Sequence, residues 1–451
     1  MEIKKNDDIK LNIEALTSEG SSVGHFNGMA VFVRSGVPGD EIICHIIKVL
    51  KRYAVGIIKE LITPSESRIE SDCPVSDKCG GCSFRNMNYD EEIKFKKSRV
   101  EDALKRIGHL DIKVNDVIKA DSIYAYRNKA QYPVIIENNE LKAGFYAYKS
   151  HRIIPCKSCK LQNSEFEDIL GLISKWVALS GVSSYDEKTG KGALRHIYLR
   201  IAEGTGEIMV CLVINANRIP EKEKLIELLK TNKNVKSICV NINKENSNVI
   251  LSDKTETLWG NEVITDTLLG KRFEISPNSF YQVNHNQCEK LYEKAIEYAA
   301  LEGNETLVDI YCGAGTIGLS MAEKAKRLFG IEIVPDAVEN AKRNASVNGI
   351  TNAEFFCGDA FQGAKELERR KIKADVVVLD PPRKGCESEL FDVIERMSPE
   401  RIVYVSCDSA TLARDLVILK EKGYEAQEVT PVDLFPRTPH VETVVLLSRV
   451  K

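Results

Sequence analysis

Regular alternation of strand-like and helix-like segments from Gly303 onward constrains the fold more than any other feature of this chain. Apolar segments of strand length recur there, and the predicted strands are 306–311, 327–333, 354–356, 374–379 and 401–405. A helix-like segment follows each of them, and these helices end near residues 326, 348, 370, 397 and 423. Such alternation is typical of helices that cross over between parallel strands. It predicts an α/β domain with a doubly wound parallel sheet.

A glycine-rich segment joins the first of these strands to its helix. Gly313, Gly315 and Gly318 form a G-x-G-x-x-G pattern, in which the missing side chains let the backbone approach a ligand closely. Glu332 ends the next strand, nineteen residues after Gly313, and its carboxylate can accept hydrogen bonds from two ribose hydroxyls. These features predict an adenosine-bearing cofactor, and by themselves they do not separate NAD from S-adenosylmethionine.

The fourth and fifth predicted strands end in rigid or reactive groups. Asp380, Pro381 and Pro382 follow the fourth strand, and Cys407 follows the fifth. Ligands of open α/β sheets bind at the carboxyl ends of the strands, so these groups should face one crevice. A carboxylate beside a rigid wall suits recognition of a flat, hydrogen-bonding base, which a dehydrogenase does not need. The pattern therefore favours a methyltransferase that acts on a nucleobase.

A thiol at this edge has a specific use if the base is uracil. Addition of a thiolate to C6 makes C5 reactive toward a sulfonium methyl group, and a base must then remove the C5 proton before the thiolate leaves. Cys407 is the candidate nucleophile, and the segment from His440 to Glu442 holds candidates for the base. Glu442 is the better of these, since an unperturbed carboxyl is ionised near neutral pH without assistance.

Length and charge limit the class of protein. The 451 residues suffice for two or three domains, and the formal net charge of −3 means that any nucleic-acid site must be a local patch. Between Lys113 and Lys160, nine Lys or Arg residues stand against four Asp or Glu residues, which fits either such a patch or a solvated face. No apolar run reaches the roughly 18 residues of a membrane span. We expect a cytoplasmic monomer with no membrane contact.

Residues 9–62 have a different pattern, in which short strands alternate with glycine-containing turns. The predicted strands are 9–16, 29–34, 41–50 and 53–62. The spacing of glycines, followed by Ala-Val-Phe-Val at 30–33 and Val-Pro-Gly-Asp at 37–40, resembles a TRAM domain, an OB-like barrel that binds RNA. Basic and aromatic side chains that could contact a single strand are Arg34, Lys48, Lys51, Arg52 and Tyr53. A purely structural barrel is the alternative.

Cysteines are clustered after this barrel. Of the 13 cysteines, Cys73, Cys79 and Cys82 are spaced C-x5-C-x2-C, and Cys156 or Cys159 could supply a fourth thiol. In a chain without an export signal, cysteines are expected to stay reduced. Clustered cysteines in such a chain indicate a metal site rather than disulfide bonds. Four thiolates suit a [4Fe-4S] cluster or zinc.

Five segments of the chain together carry a resemblance to a known family. They are FYQVN (280–284), DIYCGAGT (309–316), DPPRKG (380–385), SCDSATLARD (406–415) and HVE (440–442). In this order they resemble the RNA uracil-5-methyltransferase family, especially its 23S ribosomal RNA branch with a TRAM domain and an iron-sulfur cluster. One departure is Asp408, where many relatives carry Asn.

The resemblance implies roles for individual residues. Cys407 would be the nucleophile and Glu442 the proton acceptor. Cofactor contacts would come from Gln282, Tyr311, Gly313, Gly315, Glu332 and Asp380. Phe280 and Asp380 would contact the target base. The ligands of a [4Fe-4S] cluster would be Cys73, Cys79, Cys82 and Cys159.

The resemblance also implies an architecture and an activity. The expected parts are a TRAM-like OB barrel (1–62), a central mixed α+β region that carries the cluster and binds RNA (63–275, with helical residues 89–110 packing on the last part), and a Rossmann-like class I methyltransferase domain (276–451). The expected reaction is methyl transfer from S-adenosylmethionine to C5 of a uridine in 23S ribosomal RNA. The alternatives are a transfer RNA uridine as substrate, a non-catalytic RNA-binding iron-sulfur protein, and an NAD oxidoreductase.

Overall fold

Six short strands near the N-terminus form one sheet in the computed structural model, which describes residues 3–450. The strands are β1 (Asp8–Asn12), β2 (Ala15–Leu16), β3 (Ser22–Phe26), β4 (Met29–Val33), β5 (Glu41–Val49) and β6 (Tyr53–Thr63). Their order across the sheet is β1-β5-β6-β4-β3-β2. Side chains such as Val31, Ile42 and Cys44 are buried and form a small core.

The predicted strand at residues 9–16 is two strands that lie at opposite edges of this sheet. β1 pairs with β5, and β2 pairs with β3. The break occurs at Ile13, because its N–H donates to Asp40 O and its carbonyl accepts from Gly39 N, both at 2.8 Å. Glu14 N then donates to Val23 O at 2.9 Å, which brings the chain onto β3, a strand that the sequence did not predict.

A second sheet, of seven strands, forms the middle of the molecule. Its strands are β7 (Lys129–Glu137), β8 (Glu140–Tyr146), β9 (Ile153–Pro155), β10 (Leu194–Ile201), β11 (Ile208–Ile214), β12 (Val235–Ile242) and β13 (Thr255–Gly260), in the order β13-β12-β11-β10-β7-β8-β9. A separate antiparallel hairpin follows, formed by β14 (Ile264–Leu268) and β15 (Lys271–Ile275). β10 and β11 are buried along their whole length. This explains the continuous apolar sequence of β11, whereas β10 also buries the polar side chains Arg195, His196 and Arg200.

The third sheet, called the parallel sheet below, also has seven strands. They are β16 (Thr306–Ile310), β17 (Arg327–Glu332), β18 (Ala353–Cys357), β19 (Val376–Leu379), β20 (Arg401–Ser406), β21 (Tyr424–Val432) and β22 (Glu442–Arg449), in the order β18-β17-β16-β19-β20-β22-β21. β16 to β20 run parallel, whereas β22 is antiparallel to both of its neighbours. The strand order reverses between β16 and β19, which is where ligands bind in such sheets.

Helices cover these sheets, and one of them joins two parts of the chain. They are α1 (Tyr89–Arg106), α2 (Glu165–Ser180), α3 (Lys222–Leu229), α4 (His285–Ala299), α5 (Thr316–Met321), α6 (Pro335–Val347), α7 (Ala360–Arg369), α8 (Ser388–Met397) and α9 (Ser409–Glu421). α1 packs on the parallel sheet through α9, since Val100 and Leu104 share a core with Leu412 and Leu416. None of the helices between residues 3 and 450 combines the length and apolar character needed to cross a bilayer.

Candidate active site

A cavity of about 850 Å³ opens at the carboxyl edge of the parallel sheet. It brings together the predicted catalytic, cofactor and base residues Phe280, Gln282, Tyr311, Gly313, Glu332, Asp380, Cys407 and Glu442. Gly315 is the predicted residue that does not line it. Its φ of 81° and the 2.9 Å that would separate an added Cβ from Leu319 Cδ1 show that it shapes the turn before α5. α5 itself ends at Met321 and a short 3-10 turn follows, so the predicted helix to Lys326 is too long.

The glycine loop and Glu332 are fixed to each other. Gly313 N donates to Glu332 Oε2 at 3.0 Å, and Val334 N donates to Glu332 Oε1 at 2.8 Å. Each carboxylate oxygen keeps a further lone pair, so the group can accept two more hydrogen bonds, as a ribose diol would require. At the start of the same loop, Tyr311 has a φ of 68°, an unusual backbone conformation for a bulky residue and one that recurs at functional sites.

Cys407 and Glu442 are brought together by strand pairing. Ser406 of β20 pairs with Thr443 of β22, so Cys407 and Glu442 stand one residue beyond this pair on adjacent strands. Burial raises the pKa of Cys407 to about 11, and the carboxylates of Glu442 and Asp380 add to the shift while Arg383 opposes it. The thiol is therefore protonated near neutral pH unless a positive charge or a base assists its ionisation.

The protonation state of Glu442 near neutral pH differs from the one predicted from the sequence. Its side chain is buried, and burial, with the nearby Asp380, raises its pKa to about 8, although Arg383 opposes the shift. The prediction that this carboxyl is ionised near neutral pH without assistance is wrong, because the sequence did not reveal its enclosure. His440, the other candidate base, is also affected by burial, which with Arg383 and Arg99 lowers its pKa to about 4 and leaves the ring neutral.

Asp380 lies directly after β19, at the point where the strand order reverses. Burial raises its pKa to about 7, so both protonation states are accessible near neutral pH. A carboxyl that can donate one hydrogen bond and accept another can match the alternating groups on the edge of a pyrimidine. Asp408, the departure from the family pattern, caps α9 by accepting from Ala410 N and Thr411 N, both at 3.0 Å.

The mouth of the cavity is formed by the loop before α4 and by one strand of the second sheet. Phe280 is 71% exposed there, which leaves its ring available for stacking. Asn128 holds the loop, since its Nδ2 donates to Gln282 O at 2.9 Å and its N–H donates to Val283 O at 2.8 Å. The loop backbone is therefore fixed while the Phe280 ring faces solvent.

Three polar residues of this strand region line the cavity but were not predicted individually. They are Arg127, Lys129 and Gln131, and they lie within or beside β7 at alternate positions. Burial, with Arg200 and Arg127 nearby, lowers the pKa of Lys129 to about 8. Their alternation within the basic segment 113–160 is the sequence signal that could have identified them, because alternate residues of a strand share one face.

A second cavity, of about 130 Å³, gathers the clustered thiols and is called the cysteine cavity below. Its cysteines are Cys73, Cys79, Cys82, Cys156 and Cys159. The segment that carries Cys79 is tied to the first sheet by Arg34, which donates to Cys79 O, and to the second sheet by Gly80 N, which donates to Tyr146 O at 2.9 Å. The cavity therefore lies where these two sheets meet.

The thiols of the cysteine cavity are not equivalent. Burial raises the pKa of Cys82 to about 12. Cys156 and Cys159 interact closely, which lowers the pKa of Cys159 and raises that of Cys156. The Cys156 thiol donates to Ser158 O at 3.3 Å. Over the described part of the chain, no group of three or more His, Cys, Asp or Glu side chains is arranged to hold a metal ion.

Comparisons with known proteins agree along nearly the whole chain. The sequence profile of the tRNA (uracil-5-)-methyltransferase family matches residues 88–450, and that of the TRAM domain matches residues 5–59. Proteins from Clostridium tetani and Listeria innocua, each described as an uncharacterized RNA methyltransferase, are 46% and 44% identical to 99% of this chain, over 97% and 98% of their own lengths.

A solved structure is similar over the same extent. It is the Pyrococcus abyssi tRNA (uracil-54, C5)-methyltransferase in complex with S-adenosyl-L-homocysteine, which is 28% identical, has a TM-score of 0.79, and matches 97% of this chain and 100% of its own. The shared architecture therefore extends beyond the parallel sheet to the rest of the molecule.

Proposed function

Because the chain belongs to the tRNA (uracil-5-)-methyltransferase family, we propose that it methylates C5 of a uridine in 23S ribosomal RNA through a covalent adduct with Cys407. Membership confirms the predicted fold class and TRAM domain, and it identifies an RNA methyltransferase that uses S-adenosylmethionine rather than NAD. The observation that carries the proposal is the pairing of β20 with β22, which sets Cys407 beside Glu442 in the cavity that also holds Glu332.

In the proposed reaction, the Cys407 thiol first loses its proton to solvent. Its thiolate Sγ then bonds to C6 of the uracil, and the electrons of the C5–C6 double bond shift toward C5. S-adenosylmethionine would supply the methyl group to C5 and leave as S-adenosylhomocysteine. Glu442 then accepts the proton from C5, the C5–C6 double bond forms again, and the bond between Sγ and C6 breaks. Arg383 has a supporting role, because it lowers the pKa of both Cys407 and Glu442 and so favours their reactive forms.

Recognition of the base would use Phe280 and Asp380. The target uridine must leave its stack to reach Cys407, and the exposed Phe280 ring at the cavity mouth can stack on it. Asp380, which titrates near neutral pH, can donate a hydrogen bond to a uracil carbonyl and accept one from N3–H. Arg127 and Lys129 would contact the phosphates next to this base.

A transfer RNA uridine is the second candidate substrate, and the Pyrococcus abyssi structure favours it, since that protein is named for a transfer RNA position. The test is to map C5-methylated uridines in total RNA from cells with and without the gene. Loss of methylation in 23S ribosomal RNA supports the proposal. Loss confined to transfer RNA replaces ribosomal RNA by transfer RNA, and no loss in any RNA favours a non-catalytic RNA-binding protein.

For the cysteine cavity we propose a [4Fe-4S] cluster on Cys73, Cys79, Cys82 and Cys159. Zinc is the alternative, because four thiolates can also hold a single zinc ion. A cluster spreads its thiolates around a larger body, which suits five thiols that line one cavity. Iron and sulfide analysis of anaerobically purified protein tests this proposal, and stoichiometric zinc without iron would contradict it.

A further inference from the structure

The loop between β21 and β22, residues 433–441, leads directly into Glu442 and is held at six of its nine residues by distant parts of the chain. In the first half of the loop, Asp433 O accepts from Gln287 Nε2, Leu434 O from Asn284 Nδ2 and Phe435 O from Lys96 Nζ, each at 3.1 Å. In the second half, Pro436 O accepts from Tyr126 Oη at 2.8 Å, Arg437 O from Ser83 N at 2.9 Å and Pro439 O from Arg99 Nη1 at 2.5 Å. An irregular segment inside a protein needs such partners. Here they also fix the path of the chain into Glu442.

Lys96 is the centre of this arrangement. Its side chain is fully buried, and its ammonium group donates to Glu92 Oε1 at 2.7 Å, Asp433 Oδ1 at 2.6 Å and Phe435 O at 3.1 Å. An ammonium group has three N–H donors, so all three are used. Two of the three acceptors belong to the loop, and the third belongs to α1, the helix that carries Lys96.

The two acids around Lys96 are themselves fixed to the loop and to α1. Tyr89 Oη donates to Asp433 Oδ2 at 2.7 Å, and Glu92 Oε1 accepts from Arg437 N at 2.7 Å. The Arg437 guanidinium lies 3.5 Å from Glu92 Oε2, so the buried group has two cations and two anions. Its charges balance, and its geometry specifies one position of the loop relative to α1.

A buried group of charges such as this one is an inefficient way to increase the free energy of unfolding. Removing charges from water is costly, and well-packed apolar residues often stabilise a protein as well as a buried ion pair does. A buried ion pair does, however, require one geometry, whereas an apolar contact tolerates several. Strand pairing places Glu442 opposite Val432, and Asp433, which Lys96 binds, is the next residue after Val432. Lys96 therefore fixes the chain directly beside the strand partner of Glu442, which gives the buried group a functional role.

We propose that Lys96 is a positioning residue that holds Glu442 where it can accept the C5 proton. The inference rests on the proposed function and deepens it. Glu442 acts only after Cys407 has attacked and the methyl group has been transferred, whereas Cys407 itself follows β20 and its placement does not depend on the loop. Loss of Lys96 should therefore impair the resolution of the methylated adduct more than its formation.

The experiment compares Lys96→Met with Lys94→Met, a control on the same helix whose side chain is 74% exposed. Each protein is incubated with substrate RNA and S-adenosylmethionine and analysed on a denaturing gel. Lys96→Met should accumulate protein joined covalently to methylated RNA and should turn over about 100-fold more slowly, the effect of a misplaced catalytic group. Its KM for RNA should stay within about twofold of wild type, and Lys94→Met should behave like wild type.

A second variant keeps the test valid if Lys96→Met does not fold. Tyr89→Phe removes the hydrogen bond to Asp433 and the acceptor of Ala120 N, and it leaves the buried charges paired. It should therefore accumulate the same adduct to a smaller extent. Glu442→Gln is the reference. If Glu442→Gln gives no adduct, the proposed function fails. If Glu442→Gln gives it and folded Lys96→Met or Tyr89→Phe does not, the role of Lys96 is overturned.

Discussion

The active-site cavity and the cysteine cavity both hold thiols, but their surroundings shift the pKa of Cys407 and the pKa of Cys159 in opposite directions. Cys407 faces the acids Glu442 and Asp380, which with burial raise the pKa of its thiol to about 11. The pKa of Cys159 is instead lowered, through its interaction with Cys156 and with the Leu161 and Gln162 amides. The comparison teaches that neighbouring groups decide whether a buried thiol ionises: acids oppose ionisation of Cys407, the proposed nucleophile, whereas neighbours of Cys159 favour it.

Of the changes that test this comparison, replacement of Cys407 has the largest expected effect. We expect Cys407→Ala to lower the rate of methyl transfer by at least about 10³-fold, the scale seen when a covalent nucleophile is removed. No protein–RNA adduct should form, because Cys407 supplies the bond to C6. Methyl incorporation and a denaturing gel measure both effects. Methylation by Cys407→Ala at the wild-type rate would contradict the mechanism.

The cysteine cavity provides the next test, because two neighbouring thiols differ in their predicted role. Cys159→Ala should lose most of its iron and melt at a lower temperature, since a thiolate ligand is removed. Cys156→Ala is the matched control and should retain its iron, because the proposed ligand set contains Cys159 and not Cys156. Metal analysis and thermal melting measure the difference. Equal iron loss in both variants would show that the assignment of Cys159 over Cys156 is wrong.

Melting temperatures measured over a range of pH test whether burial raises the pKa of Glu442. Its folded pKa of about 8 lies above the ordinary value of 4.5 for a glutamate, so the folded state prefers the protonated form. This contribution to stability is fully present below about pH 4.5 and is lost as the pH rises through about 8. Glu442→Gln stays neutral, so its melting temperature relative to wild type should increase between pH 5 and pH 8. The exposed Glu425→Gln should show no such trend, and a flat difference for Glu442→Gln would contradict the raised pKa.

The smallest expected effect concerns Arg383. Because Arg383 lowers the pKa of Cys407 and of Glu442, Arg383→Gln should move the rising limb of the pH profile of kcat/KM to higher pH. Arg369→Gln, which alters an exposed arginine paired with Glu366, serves as the control. A shift to lower pH would show that Arg383 does not assist ionisation.

Local sequence patterns indicated which residues line the candidate site. They could not indicate protonation states or ion pairs that depend on burial by distant parts of the chain. The glycine pattern, the acid that follows it and the thiol at the end of β20 could be placed because each one ends a predicted strand. The protonation of Glu442 could not, because its burial depends on neighbours from other parts of the chain. The same holds for the pair of Lys96 and Asp433, which are 337 residues apart in sequence.

The fold shows the same distinction. Five strands of the parallel sheet, β16 to β20, were predicted from apolar segments that alternate with helices, whereas β21 was not predicted. The break at Ile13 was missed, because it depends on hydrogen bonds with Gly39 and Asp40 rather than on any signal within residues 9–16.

The position of β22 has a consequence for the folding chain. β22 lies between β20 and β21, although β21 precedes it in sequence, so β20 and β21 never pair with each other. Until β22 arrives, β20 has a free edge of unpaired amides and carbonyls beside buried apolar residues such as Val403 and Val405. Such an edge is a template for pairing with another chain. A chain interrupted before Glu442 would therefore be prone to aggregation as well as inactive.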